Sequence, residues 1–197
     1  GHSGREIFDP ATLDRDGSRP DSFYFGISYA DRGAFMTPRH HHNFDQMRYM
    51  IKGQWHDPAG VLEDGCLGVF PEGTWYGPQD NPDDAGTVLV IQFGGASGAG
   101  YVDKNLMRKA ASELKAANEG YFEDGVYKRN PGVEGPPVQD AYEAIWERVK
   151  QRPIEYPEAQ YPTPIFIDSK VFPWTPVADA PGVEEKALGT FTSCQYK

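Results

Sequence analysis

Residues 40–53, HHHNFDQMRYMIKG, open on three consecutive histidines and continue with the β-prone composition of a strand. Side chains alternate between the two faces of a strand, so His40 and His42 are predicted to share one face. His41 then points to the opposite face, as a packing or interface residue. Four of the chain's five histidines fall between positions 40 and 56, which makes this stretch the first place to look for chemistry.

Clustered imidazoles are a common route to metal binding, because neutral histidine is the most frequent metal ligand. Continuing the alternation past a short irregular step places Gln46 and Arg48 on one face. Gln46 is therefore a third candidate ligand beside His40 and His42. The alternative is a solvated polar strand that holds no metal.

The composition describes a folded protein with many turns and a strong negative charge. The 197 residues suit one ordinary domain with an appendage, and 22 Gly with 17 Pro favour short strands over long helices. A net charge of -10 argues against nucleic acid or an anionic membrane as partner. No apolar run is long enough to span a bilayer, so a cytoplasmic setting is the default. Cys66 and Cys194 are too few for a disulfide framework.

Four regions are predicted along the chain, bounded by changes in composition. Residues 1–20 form a polar N-terminal arm, 21–100 a β-rich domain, 101–155 a helical extension, and 156–197 an extended tail that packs on that domain or on a partner subunit. The β-rich pieces alternate with turn residues in the manner of an all-β sandwich or barrel. They lie at Phe23–Ser28, Gly33–Met36, His40–Ile51, Gln54–His56, Cys66–Phe70 and Thr87–Phe93. Helices are expected at Lys104–Asn118 and Val138–Lys150, and one tail strand at Ile165–Ile167.

Two stretches resemble the paired motifs of the cupin superfamily, which are small jelly-roll β-barrels. The first motif, G-x5-HxH-x3/4-E-x6-G, is matched by His40, His42 and Gly53, with Gln46 in place of the glutamate. The second, G-x5-PxG-x2-H-x3-N, is matched by Gly65, Pro71 and Gly73, with Tyr76 in place of the histidine and Asp80 in place of the asparagine. The resemblance implies an all-β fold with appended helices, built on a cupin-type jelly-roll β-barrel.

The same resemblance implies a divalent transition metal such as Fe, Mn, Zn, Ni or Cu, which cupins hold with three histidines and a glutamate. This chain keeps His40 and His42 but offers an amide, Gln46, and a phenol, Tyr76. Tyr76 either binds the metal as a phenolate or stays protonated and serves as a hydrogen-bond donor or general acid. His56 is a further candidate, with a position at the rim as its alternative.

Arg48 and Tyr76 are the candidate catalytic residues. Arg48 suits a substrate carboxylate, with a salt bridge to Asp45, Asp57 or Glu72 as the alternative. The resemblance implies a metal-dependent oxygenase acting on a small anionic or oxygenated molecule. A small-ligand-binding protein with a degenerate metal site is the other hypothesis. The resemblance also implies a homodimer, and the tail resembles the lead-in of a second cupin domain.

Overall fold

The computed structural model describes residues 2–7, 23–97, 102 and 104–191. Strands dominate this part of the chain, and two helices accompany them. The strands are β1 (His2–Ile7), β2 (Phe23–Ala30), β3 (Met36–Thr37), β4 (Phe44–Asp57), β5 (Gly60–Glu63), β6 (Cys66–Phe70), β7 (Gln79–Asp80), β8 (Gly86–Gly94), β9 (Gly120–Glu123), β10 (Val126–Arg129), β11 (Val138–Asp140), β12 (Ile165–Asp168), β13 (Thr175–Pro176) and β14 (Glu184–Glu185). The helices are α1 (Lys104–Ala116) and α2 (Ala141–Lys150).

The long strand β4 belongs to two antiparallel sheets. Its first part lies in a sheet with the order β1-β2-β8-β4-β6-β12, and its last residues pair with β5 and β7, which in turn pairs with β3. The register shifts between Met50 and Lys52, and Gly53 follows with φ of +88°. A bulge of this kind bends a strand and allows it to pass from one sheet into the other.

The space between the two sheets holds the main apolar core. Fully or almost fully buried side chains from both sheets meet there, among them Met50, Trp55, Leu62 and Val88. Residues facing this space alternate along β4 with residues facing outward, as expected for a half-buried strand. The first sheet therefore has an inner face toward the core and an outer face away from it.

The predicted fold class, all-β with appended helices, is confirmed. The described strands form open sheets rather than a closed barrel, so a jelly-roll sandwich is the better description. One part of the strand prediction was wrong: β4 begins at Phe44, and the histidines precede it. His40 forms an isolated bridge with Tyr76, and His41 and His42 lie in irregular chain.

A lobe containing α1, α2 and the small sheet β11-β10-β9 follows the sandwich. Helix α2 begins after Asp140, whose side chain accepts a hydrogen bond from the Glu143 N–H, and it packs against α1. From the tail, β12 returns to the first sheet and pairs with β6. Cys194 lies outside the described residues. No helix in the described part is both long and apolar enough to cross a membrane.

Candidate functional site

Two polar side chains of β4 point inward, as the alternation along the strand predicts. Gln46 is 2% exposed and Arg48 is 7% exposed, so both are buried between the sheets. Across the strands, Arg48 lies opposite Val90 on β8 and Gly68 on β6. A Cβ at Gly68 would come within 2.9 Å of the Phe70 ring, so glycine there leaves room for the ring on which Arg48 rests.

The Arg48 guanidinium is held by two amides and by aromatic rings. Its Nη1 donates to Oε1 of Gln79 at 2.5 Å. Its carbon Cζ lies 4.6 Å from the centre of the Phe70 ring and 5.5 Å from that of Tyr76, distances at which a cation is attracted to a ring face. The two ring faces therefore form an apolar surface against which the charged guanidinium packs.

The Gln46 amide is the second partner, and its orientation follows from chemistry. One end of the amide lies 2.9 Å from Nη2 and 3.0 Å from Nε of Arg48. A guanidinium only donates hydrogen bonds, so the end that faces it must be the amide oxygen. The other end of the amide faces the side chain of Gln92 at 2.6 Å. The oxygen of Gln46 is therefore committed to Arg48.

Arg48 has no carboxylate partner within 4.0 Å among the described residues. The direct salt bridges to Asp45, Asp57 or Glu72 considered above are not formed. Asp57 is linked to Arg48 through Gln79, whose amide donates to Oδ2 of Asp57 at 3.0 Å and accepts from Arg48. Burial lowers the pKa of Arg48, but an arginine keeps its charge under these conditions. A full positive charge is therefore buried against neutral groups.

His40 is a buried, neutral imidazole whose tautomer is fixed. Its Nδ1 lies 2.7 Å from the carbonyl oxygen of Pro38, which can only accept, so Nδ1 carries the proton. Burial lowers the pKa of His40 to about 4, although the bond to Pro38 opposes this. Nε2 is left with a free lone pair. A histidine oriented by a backbone carbonyl in this way is a typical metal ligand.

His42 and Tyr76 share a buried hydrogen bond. Nδ1 of His42 lies 2.9 Å from the Tyr76 hydroxyl. Burial lowers the pKa of His42 well below its usual value and raises the pKa of Tyr76. Both groups are therefore neutral in the protein as it stands. Of the two roles considered for Tyr76, the protonated phenol agrees with this environment.

The donor set fits a divalent metal only in part. The ring centres of His40 and His42 are 5.0 Å apart. A metal ~2.1 Å from one nitrogen of each ring would hold the centres roughly 4.5–5.2 Å apart, so the spacing of the two rings is compatible with a shared ion. The Gln46 oxygen, however, faces Arg48, and the described residues contain no group of three His, Cys, Asp or Glu side chains placed to hold an ion. A four-donor site does not fit, and the metal assignment stays a prediction.

The other two histidines are placed elsewhere. His41 is stacked between Trp75 and Tyr156, with ring centres 3.8 and 3.6 Å away, as befits a packing residue. His56 lies 3.1 Å from a carboxylate oxygen of Asp83 at the surface end of β4. It is Tyr76, and not His56, that contacts His42.

The inner face of the first sheet opens into a cavity of about 260 Å³, called the Arg48 pocket here. Its polar lining consists of Ser28, Gln46, Arg48, Gln92 and Lys104. Its apolar lining consists of Tyr24, Phe35, Trp55 and Val90. His40 lines a different cavity, a groove of about 300 Å³ between the sandwich and the lobe. Gln46 and Arg48 therefore line one opening and His40 lines the other, and neither lining includes His42 or Tyr76.

Sequence reasoning missed three residues that shape the pocket. Gln79 is a spacer residue of the second motif, next to Asp80, and fixes Arg48, while Phe35 comes from a loop and Lys104 is the first residue of α1. The second motif does position part of the site: the Gly73 N–H donates to the carbonyl oxygen of His42 at 2.7 Å. Gln79 lies in the turn-rich run directly after Tyr76, and this position could have identified it from the sequence. No feature of the sequence linked Lys104 to the pocket.

Comparison with known proteins finds similarity only at the level of structure. No family model matches the chain, and no curated protein matches it significantly. Among solved structures, the chain is similar to a protein of unknown function with a cupin-like fold from Ralstonia eutropha, at 22% identity and a TM-score of 0.32, over 37% of this chain and 51% of that one. It is also similar to a sugar phosphate isomerase of a cupin superfamily from Silicibacter pomeroyi, at 23% identity and a TM-score of 0.33, over 47% and 59% of the two chains.

A third similar structure is a proposed dioxygenase from Nostoc punctiforme, at 13% identity and a TM-score of 0.40, over 90% of this chain and 48% of that one. The chain thus spans about half of the Ralstonia and Nostoc proteins. Several of the similar structures are described as cupin or cupin-like proteins. Their named functions differ, and fold alone does not specify a reaction.

Proposed function

We propose that this chain binds a small organic anion in the Arg48 pocket, as a small-ligand-binding protein built on a cupin-like sandwich. The observation that carries the proposal is the buried guanidinium. Its contacts within the described residues are two neutral amides, and a buried charge without a counter-charge is costly. An anion in the pocket would remove that cost.

The hydrogen bonds of Arg48 leave donors for such a ligand. Of its five N–H groups, Nε and one each on Nη1 and Nη2 are engaged by Gln46 and Gln79. One N–H therefore remains on each terminal nitrogen. Two N–H groups on a planar fork match the two oxygens of a carboxylate, and such pairs are strong because both partners are charged.

The test is binding of acetate, propionate and benzoate to the wild-type protein and to Arg48→Met, measured by isothermal titration calorimetry. Methionine fills a similar volume without charge. Arg108→Met, on the exposed side of α1, is the matched control. We expect binding to the wild type and the control and loss of binding in Arg48→Met. Equal binding by Arg48→Met would place the anion elsewhere and overturn the proposal.

A second variant tests the same site without removing the arginine. In Gln46→Glu a carboxylate replaces the amide oxygen that lies 2.9–3.0 Å from Arg48. The resulting ion pair cancels the buried charge, so carboxylate binding is expected to weaken at least tenfold. Undiminished affinity would show that the charge of Arg48 does not attract the ligand.

The second candidate function is the metal-dependent oxygenase that the resemblance implies. The fixed tautomer of His40 and its 5.0 Å separation from His42 support it. Metal analysis of protein purified without a nickel column is the test, with His42→Ala as the variant that should lose any bound ion. Less than about a tenth of an equivalent of transition metal, before and after reconstitution, would reject this candidate.

A further inference from the structure

The groove between the sandwich and the lobe, called the lobe groove here, contains charges of both signs that do not pair with one another. Its lining includes Arg39 from the sandwich and, from the lobe, Asp140 and Glu143. None of these three side chains forms an ion pair within 4.0 Å with a described residue. The lobe groove therefore presents one positive and two negative side chains to a ligand.

Arg39 is held in place without the use of its hydrogen-bond donors. The side chain is exposed, and its Cζ lies 4.8 Å from the centre of the Trp75 ring. Trp75 is itself stacked on His41, with ring centres 3.8 Å apart. A contact of this kind uses the flat face of the guanidinium and leaves the N–H groups at its edge. No described residue accepts a hydrogen bond from Arg39, so its fork is available to a carboxylate.

The two carboxylates on the opposite wall are held by neutral groups. Oε1 of Glu143 accepts a hydrogen bond from the Gln139 amide at 2.7 Å, and Oε2 accepts one from the Tyr156 hydroxyl at 3.0 Å. Oδ1 of Asp140 accepts from the Glu143 N–H as the cap of α2. Burial raises the pKa of Asp140, and the charge of Glu143 adds to this effect. The helix end offsets only about half a charge, so a cation beside the two carboxylates would be stabilised.

His40 adds a further acceptor to the lining of the lobe groove. It is 9% exposed, and its Nδ1 donates to the Pro38 carbonyl oxygen. The lone pair of Nε2 receives no hydrogen bond from a described residue. An unsatisfied acceptor in a buried side chain is costly, so a ligand that brings N–H donors is favoured. An ammonium group has three such donors and the charge that the carboxylates require.

We propose that the lobe groove binds a small zwitterion, namely an amino acid whose carboxylate lies on Arg39 and whose ammonium group lies against Asp140 and Glu143. This is a second site, and it does not rest on the anion proposed for the Arg48 pocket. A cavity of about 300 Å³ limits the ligand to a small molecule. Apolar lining for its side chain is supplied by Val126, Pro136 and Val138.

The experiment compares ligands of one carbon skeleton that differ in one charge. Leucine carries both charges, leucinamide only the ammonium group, and 4-methylpentanoate only the carboxylate. β-Alanine and 4-aminobutyrate, each with its amide and its deaminated acid, extend the comparison to wider separations of charge. All are titrated into the wild type at pH 7 by isothermal titration calorimetry. We expect at least one amino acid to bind at least about threefold more tightly than either of its analogues, as one exposed charge pair allows.

Two variants assign the charges to residues. In Arg39→Gln the affinity for the amino acid should fall to that for its amide, and the amide should bind as before. Asp140→Asn keeps a capping oxygen for α2 but removes a charge, so both ammonium ligands should bind at least about fivefold more weakly. Arg108→Gln and Glu63→Gln are the matched controls, because both residues are exposed and neither lines the lobe groove.

The outcomes separate this inference from the proposed function. Equal affinities of the wild type for every amino acid and its amide would overturn the zwitterion. Amino-acid binding that survives in Arg39→Gln and is lost in Arg48→Met would place the ligand in the Arg48 pocket and overturn the lobe groove as its site. Absence of amino-acid binding would overturn this inference and leave the anion pocket standing, since benzoate tests that pocket separately. The wild-type comparison decides the matter even where a variant folds poorly.

Discussion

Replacing His40 by glutamine is expected to make the stability of the protein less sensitive to acid. In the folded protein burial lowers the pKa of His40 to about 4, whereas its ordinary value is 6.5. Between these pH values the unfolded chain binds more protons than the folded one, so the free energy of unfolding falls as the pH falls. The stabilisation is complete above pH 6.5 and is lost as the pH approaches 4. At ~1.4 kcal/mol per pKa unit the total is about 3 kcal/mol.

The measurement is urea denaturation of metal-free wild type and His40→Gln at pH 7 and pH 5. About 2 kcal/mol of the effect falls within this interval, so the wild type should lose about 2 kcal/mol more than the variant. Glutamine suits the test because it is a polar side chain of similar size that does not titrate. Any constant cost of the substitution cancels in the comparison. Equal losses in the two proteins would refute the assignment of His40 as a buried neutral imidazole.

Three further predictions concern the framework. Gly53→Ala should destabilise the protein by ~3 kcal/mol or more in urea denaturation, because the added Cβ would lie 1.7 Å from the Ala85 oxygen. Gly132→Ala is the control, because Gly132 has a similar φ with nothing within 4 Å of an added Cβ, and it should cost only ~1 kcal/mol. Asp140→Ala should cost ~1 kcal/mol through loss of the cap of α2, and Asp140→Asn should retain most of it. We propose that the expected homodimer forms through the outer face of the first sheet, where Ile27 is 41% exposed between Phe25 and Tyr29. Light scattering should then find Ile27→Asp monomeric and Val171→Asp dimeric, and a dimeric Ile27→Asp would contradict this.

The sequence alone predicted the features that depend on residues close together in the chain, namely the alternation along a strand and the periodicity of the helices. The inward pair Gln46 and Arg48 followed from strand alternation alone, and the predicted helices agree with α1 and α2 to within three residues at each end. The strand itself was predicted to begin too early, because β4 begins only at Phe44, yet His40 and His42 do lie together while His41 is stacked between Trp75 and Tyr156. Their positions are set by contacts distant in sequence, such as the bridge between His40 and Tyr76.

The partners of Arg48 could not be predicted because they depend on register between strands. Gln79 reaches the guanidinium from β7, 31 positions along the chain, and Lys104 enters the pocket from a helix outside the sandwich. Nor does sequence reveal that His40 and Arg48 line different cavities, since alternation assigns a face and not an opening. These relations arise only when the two sheets pack together.

The amide at position 46 affects both the candidate metal site and the charge of Arg48. A glutamate there would form a buried ion pair with Arg48 and would also supply the anionic donor that a divalent metal favours. Glutamine satisfies the same guanidinium N–H groups at 2.9 and 3.0 Å without cancelling the charge. It therefore weakens the case for a metal and, in the same step, leaves a positive charge for a ligand. The uncancelled charge of Arg48 therefore favours an anion in this cavity over a cation.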